Sequence, residues 1–127
     1  MKIEFYKYQG TGNDFVILDN RDERYSHITG GEVKLLCDRR FGIGADGLMM
    51  LNNKKYFDFE MIYFNADGNP STMCGNGGRC LVKFAHLMGI HKNTYHFVEM
   101  EGKHEPEIDM QGKVRLKMQD VYTLNYH

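Results

Sequence analysis

The chain has 127 residues, 42% of them hydrophobic and 26% charged, with 16 Lys and Arg against 17 Asp and Glu for a net charge of −1. That length suits a single domain, residues 1–127, able to bury a core without staples, and the near-neutral balance argues against a partner gripped through phosphates, so nucleic acid is not expected. No apolar run approaches the roughly 20 residues that span a bilayer and the start MKIEFYKYQG lacks a signal peptide's apolar core, so no membrane is expected and the chain reads as cytoplasmic.

Ile3, Phe5 and Lys7 alternate with Glu4 and Tyr6, which predicts a strand interrupted by the glycine-rich stretch Gln9-Gly10-Thr11-Gly12-Asn13-Asp14. Phe15-Val16-Ile17-Leu18 predicts a second strand, followed by a polar connector from Arg21 to His27. Thr29 and Glu32 have the spacing of a capping box, and Val33, Leu36 and Cys37 recur at helical spacing, predicting a short helix that ends near Arg40. A second glycine loop, Phe41-Gly42-Ile43-Gly44-Ala45-Asp46-Gly47, feeds the apolar run Leu48-Met49-Met50-Leu51. Phe57, Phe59, Met61 and Tyr63 alternate with Asp58, Glu60 and Ile62 as a strand does, and Asn65-Ala66-Asp67-Gly68-Asn69-Pro70 supplies a turn. From Gly77 to Gly89 the apolar positions leave only a narrow polar stripe of Arg79, Lys83 and His86, which predicts a central helix wrapped by other elements. The tail alternates again around Tyr95 to Met100, Pro106 to Met110 and Val114 to Met118, with Glu101-Gly102 and Gln111-Gly112 as turns, as antiparallel hairpins do. The pattern predicts an α+β domain, with a mixed, mainly antiparallel sheet wrapped around a central helix.

The feature richest in chemistry is Met73-Cys74-Gly75-Asn76-Gly77-Gly78-Arg79-Cys80, just ahead of that helix. A cysteine there meets the unpaired N–H groups and positive dipole end of the helix, which favour thiolate over thiol. The glycines let backbone approach a ligand, and consecutive N–H groups can converge on a carboxylate. Most cysteines are inert core, and Cys37 and Cys80 fit that description because they fall on apolar helical periods, whereas Cys74 falls on none. The odd cysteine count in a chain with ample core predicts thiols rather than a disulfide framework, and the Cys74–Cys80 spacing suits no zinc site, so no metal is expected. The glycines of 42–47 match G-x-G-x-x-G, but after a helix and before a strand, which reverses the dinucleotide context. Residues 65–69 resemble half of a calcium loop without the closing Glu. Asn13 and Asn65 stand at strand ends, where an amide can either meet a small polar ligand or make a local turn.

Together, Gln9-Gly10-Thr11-Gly12-Asn13-Asp14-Phe15-Val16, Asp38-Arg39-Arg40-Phe41-Gly42-Ile43-Gly44-Ala45-Asp46-Gly47 and Asn65-Ala66-Asp67-Gly68 running into 73–80 resemble the N-terminal half of diaminopimelate epimerase over residues 1–89. The resemblance implies a pyridoxal-phosphate-independent isomerase, needing no cofactor, that interconverts LL- and meso-diaminopimelate for lysine and peptidoglycan synthesis. It implies a fold of two similar halves in which one cysteine from each flanks the substrate Cα, with Cys74 as the first-half member. It further implies that Asn13, Asn65 and Asn76 hold polar groups of the substrate and that Gly75 and Asn76 offer backbone N–H groups. The family runs to about twice this length, so the resemblance implies a partner, either a C-terminal half or a second copy in a homodimer. Two alternatives are an amino-acid-binding or partner-docking module without chemistry, which needs no thiolate at Cys74, and a cofactor-independent racemase related to the proline racemases.

Overall fold

The structure is a computed structural model and describes residues 3–10, 12–71, 75–99, 102–104, 107–108 and 114–115. Its elements in chain order are β1 (Tyr6–Gly10), β2 (Asn13–Asp19), α1 (Gly30–Cys37), β3 (Gly47–Asn52), β4 (Phe59–Asn65), α2 (Gly75–Leu87), β5 (Phe97–Glu99), β6 (Gly102–His104), β7 (Glu107–Ile108) and β8 (Val114–Arg115). The first six strands form one sheet in sequence order, and β7 and β8 pair separately. Pairs β1/β2, β3/β4 and β5/β6 are antiparallel, whereas β2/β3 and β4/β5 are parallel.

The two parallel pairs explain where the helices lie. A parallel pair needs a long crossover, and α1 lies in the one between β2 and β3 while α2 lies in the one between β4 and β5. Both crossovers step across the sheet in the same sense, but β4 runs opposite to β2. The usual right-handed crossover therefore places the helices on opposite faces. Burial agrees. Phe15 and Ile17 of β2 join Met49 and Leu51 of β3 in a core with Leu81, Phe84 and Ala85 of α2, while Val16, Leu18, Leu48 and Met50 join Val33 and Cys37 of α1. With both faces covered, β2 and β3 read as unbroken apolar runs rather than alternating ones.

The sequence expectation of a sheet around a central helix is met by α2. Its cluster draws Phe59 and Met61 from β4, Phe97 from β5 and Tyr95 ahead of it, all buried, and the ring of Phe84 lies 4.8 Å from Tyr6 and 6.0 Å from Tyr8. Each fully buried large side chain contributes roughly 1.5–3 kcal/mol. Arg79, Lys83 and His86 form the exposed stripe, as their spacing indicated.

Several local expectations are corrected. β1 begins at Tyr6 and runs through Gln9 and Gly10, so strand pairing extends into the first glycine stretch, with Gly10 the register partner of Asn13. The inward residues are Tyr6 and Tyr8, drawn in by Phe84, while Phe5 is exposed. The capping box is present, with the Glu32 N–H donating to Thr29 Oγ1 at 3.1 Å and the Thr29 N–H to Glu32 Oε1 at 3.0 Å. α1 ends at Cys37 rather than near Arg40, because the Asp38 carboxylate accepts the N–H groups of Arg40 and Phe41, both at 2.8 Å, and turns the chain. α2 begins at Gly75, ahead of Gly77. In the tail, β5 pairs with a strand resuming at Gly102. The expected turn at Gln111-Gly112 and strand residues beyond Arg115 lie outside the described residues.

Candidate functional site

Three chain segments converge at one end of the sheet. β2 begins there at Asn13, β3 begins there at Gly47, and antiparallel β4 ends there at Asn65, the register partner of Gly47. α2 begins there too. Phe84 packs against Tyr6, the register partner of Ile17, and the Arg21 guanidinium beyond the far end of β2 donates to the carbonyl of Met88 at 3.4 Å. The helix thus runs alongside β2 in the same direction. Cys80 is close enough to Tyr8, which faces Phe15, to influence its titration, and Gly75 precedes Cys80 by about 7.5 Å of helix rise. Asn13 precedes Phe15 by about 6.7 Å of strand, so the helix start and Asn13 stand at matching levels.

The first turn of α2 carries no acidic side chain, so its positive end is not neutralised from within. The structure places Asn13, Asn65 and the backbone of Gly75 and Asn76 at this edge. Cys74 immediately precedes α2 in the sequence and lies outside the described residues, as does the side chain of Asn76. Cys37 and Cys80 are both buried, and burial pushes the Cys37 thiol up to about 11, with the Asp14 charge adding to the shift.

Asn65 is held by the turn after it. Its N–H donates to the carbonyl of Asn69 at 3.0 Å, and its carbonyl accepts the Gly68 N–H at 2.9 Å. Gly68 has φ +89° and lies against α1's first residue, where an added Cβ would stand 2.1 Å from the carbonyl oxygen of Gly30. Only glycine fits both the backbone angle and the contact.

A charged cluster, which the sequence motifs contain but whose role their spacing does not reveal, braces the same edge. The Asp14 N–H donates to Asp46 Oδ2 at 3.0 Å and the Asp46 N–H donates to Asp14 Oδ1 at 3.1 Å. Arg39 grips both Asp14 oxygens at 2.7 and 3.0 Å and reaches Asp46 Oδ1 at 3.2 Å, and Lys7 pairs with Asp14 at 3.2 Å and also donates to the carbonyl of Gly44. The Arg39 guanidinium, with Lys7, holds the Asp14 carboxyl well below the usual carboxylate range. The available signal is an Asp at or next to the end of each of two glycine motifs, with an Arg between them.

A cavity of about 280 Å³ bordered by Asp19, Arg21, Arg24 and Tyr25 lies at the opposite end of β2, and its arginines are paired with Asp19 and Asp22. Among the described residues, no group of three or more His, Cys, Asp or Glu side chains is arranged to hold a metal ion, and no helix is long and apolar enough to cross a membrane.

The sequence model of the family described as diaminopimelate epimerase matches residues 5–124. The diaminopimelate epimerase of Flavobacterium psychrophilum is 50% identical over 125 residues, covering 98% of this chain and 49% of that protein. That of Chlorobaculum tepidum is 49% identical over 111 residues, covering 86% of this chain and 43% of its own. The chain thus spans about half the length of the curated relatives it matches. Among solved structures, a methylitaconate-delta-isomerase superposes with a TM-score of 0.64 at 12% identity, over 89% of this chain and 36% of that one. A PhzF-family phenazine biosynthesis protein from Bacillus anthracis superposes with a TM-score of 0.60 at 16% identity, over 88% and 37%. At those identities the likeness is one of fold.

Proposed function

The chain belongs to the diaminopimelate epimerase family, and from that premise we propose that the complete protein carrying it interconverts LL- and meso-diaminopimelate by proton transfer at Cα. The observation that carries the proposal is the convergence of Asn13, Asn65 and the unneutralised start of α2 at one sheet edge, with Cys74 the next residue upstream in the sequence. A thiol placed against that helix end is biased toward thiolate and can act as general base at Cα. The first N–H groups of α2, those of Gly75 and Asn76 among them, suit a substrate carboxylate and the charge that develops beside it as the Cα proton leaves. Asn13 and Asn65 each offer an amide to the remaining polar groups of the amino acid.

Inversion requires an acid on the face of Cα opposite the base. Cys37 and Cys80 are buried in the two cores, so neither serves. The second thiol is supplied by a further polypeptide segment or by a second copy of the chain, and the 127 residues alone do not epimerise unless they pair. The test is conversion of LL- to meso-diaminopimelate by the complete protein without pyridoxal phosphate, with stereoisomers separated chromatographically. Cys74→Ala abolishes conversion while leaving the fold intact. Undiminished turnover in that variant refutes the proposal.

A further inference from the structure

Asp46 touches what lies beside both candidate ligand residues. Its carboxylate Oδ2 accepts the Asn13 side-chain amide at 3.4 Å and the Asp14 N–H at 3.0 Å, so one oxygen meets both the side chain of Asn13 and the backbone that follows it. Its own N–H is held by Asp14, through the carbonyl at 3.0 Å and Oδ1 at 3.1 Å. Its carbonyl accepts the Ala66 N–H at 3.2 Å, immediately after Asn65, and the next residue, Gly47, is Asn65's register partner. β2 and β4 are not neighbours in the sheet, so Asp46 at the head of the intervening β3 ties their two ends together.

Two carboxylates this close would repel each other and part the strand ends. Arg39 reaches both from the loop after α1, and Lys7 adds a second cation from β1. The bidentate fork on Asp14 fixes direction as well as charge, which a lysine cannot reproduce.

We infer that Asp46 is a positioning residue of this edge, its carboxylate setting Asn13 and its backbone setting Asn65, with Arg39 holding Asp46 and Asp14 together. The inference rests on the proposed function for what the two asparagines bind. Asp46 acts through Asn13 and touches no substrate.

The test uses the complete protein with Asp46→Ala, Asp46→Asn, Asn13→Ala and the double variant Asn13→Ala/Asp46→Ala. Asp19→Ala, which breaks an ion pair at the far end of β2, controls for lost stability. Asp46→Ala raises KM for diaminopimelate about tenfold with kcat within about twofold, the signature of a lost uniform binding contact. Asp46→Asn keeps an acceptor oxygen and restores most of that KM. In the Asn13→Ala background Asp46→Ala adds less than about twofold, because the residue it acts through is gone. Equal effects of Asp46→Ala in both backgrounds, or a KM unchanged as in Asp19→Ala, overturn the inference. Crystal structures of the variants decide it without activity. The Asn13 carboxamide leaves its place in Asp46→Ala and keeps it in Asp46→Asn, and an unmoved Asn13 in Asp46→Ala overturns the inference. If the variant crystal structures show this pattern but the wild-type protein does not turn over diaminopimelate, the proposed function is refuted and the positioning role stands.

Discussion

Gly68→Ala separates two costs that usually arrive together. Gly68 has φ +89° and Gly89, after α2, has φ +98°, so alanine at either position pays for a left-handed backbone, about 1–2 kcal/mol. The surroundings differ. A Cβ at Gly89 meets nothing within 4 Å, whereas one at Gly68 would lie 2.1 Å from the Gly30 oxygen and 2.7 Å from its carbon. These are main-chain atoms at the start of α1, so relief requires the turn and the helix to move apart, about 1–3 kcal/mol more on the scale of overpacked cores. Gly68→Ala should therefore cost about 2–5 kcal/mol, and Gly89→Ala about 1–2. Urea midpoints of the two variants and the wild type, taken with a common slope, measure the difference. Because this turn also holds Asn65, Gly68→Ala should raise KM for diaminopimelate where Gly89→Ala does not. Equal stability losses in the two variants would refute the packing of the turn against α1.

The Asp14 carboxyl is held low in the folded state, chiefly by Arg39 and then by Lys7. Its contribution is therefore present above the unfolded carboxylate value near about 3.9 and lost as pH falls toward the folded one. Asp14→Asn should be less stable than wild type by about 1–3 kcal/mol at pH 7, with the gap closing below pH 4 in urea titrations; a constant gap down to pH 2 would contradict the ion cluster. Alkylation of native protein at pH 8, mapped by peptide mass, should label Cys74 well before Cys37, whose thiol is buried and raised to about 11, and before buried Cys80. Early labelling of either buried cysteine counts against the assigned role of Cys74. Thr29→Ala removes the capping box of α1 and should cost about 1 kcal/mol by thermal or urea unfolding.

What the sequence made legible were features written in local periodicity. The capping box at Thr29, the runs at 15–18 and 48–51, the alternation from Phe59 to Tyr63 and the three-sided burial of α2 each follow from side chains a few residues apart. The hairpin Gly10/Asn13 was obscured because glycine and polar residues mask strand character, and pairing between neighbouring strands decides it. α1 stops three residues short of Arg40 because its end depends on one Asp38 side chain capturing the following N–H groups. At the candidate site, Asn13 and Asn65 stood out as strand-end amides. Asp14, Arg39 and Asp46 did not, because their connection crosses from β2 to the head of β3 through a parallel pairing that no local pattern encodes.

The most direct measurement is reaction of LL-diaminopimelate in heavy water with the complete protein and no added pyridoxal phosphate, followed by mass spectrometry of the separated stereoisomers. Thiol protons equilibrate with solvent between turnovers, so removal of hydrogen from one face and delivery from the other by two thiols predicts one deuterium at Cα in every inverted molecule, and none formed by Cys74→Ala. Inversion with the original hydrogen retained, or turnover that depends on pyridoxal phosphate, would contradict it.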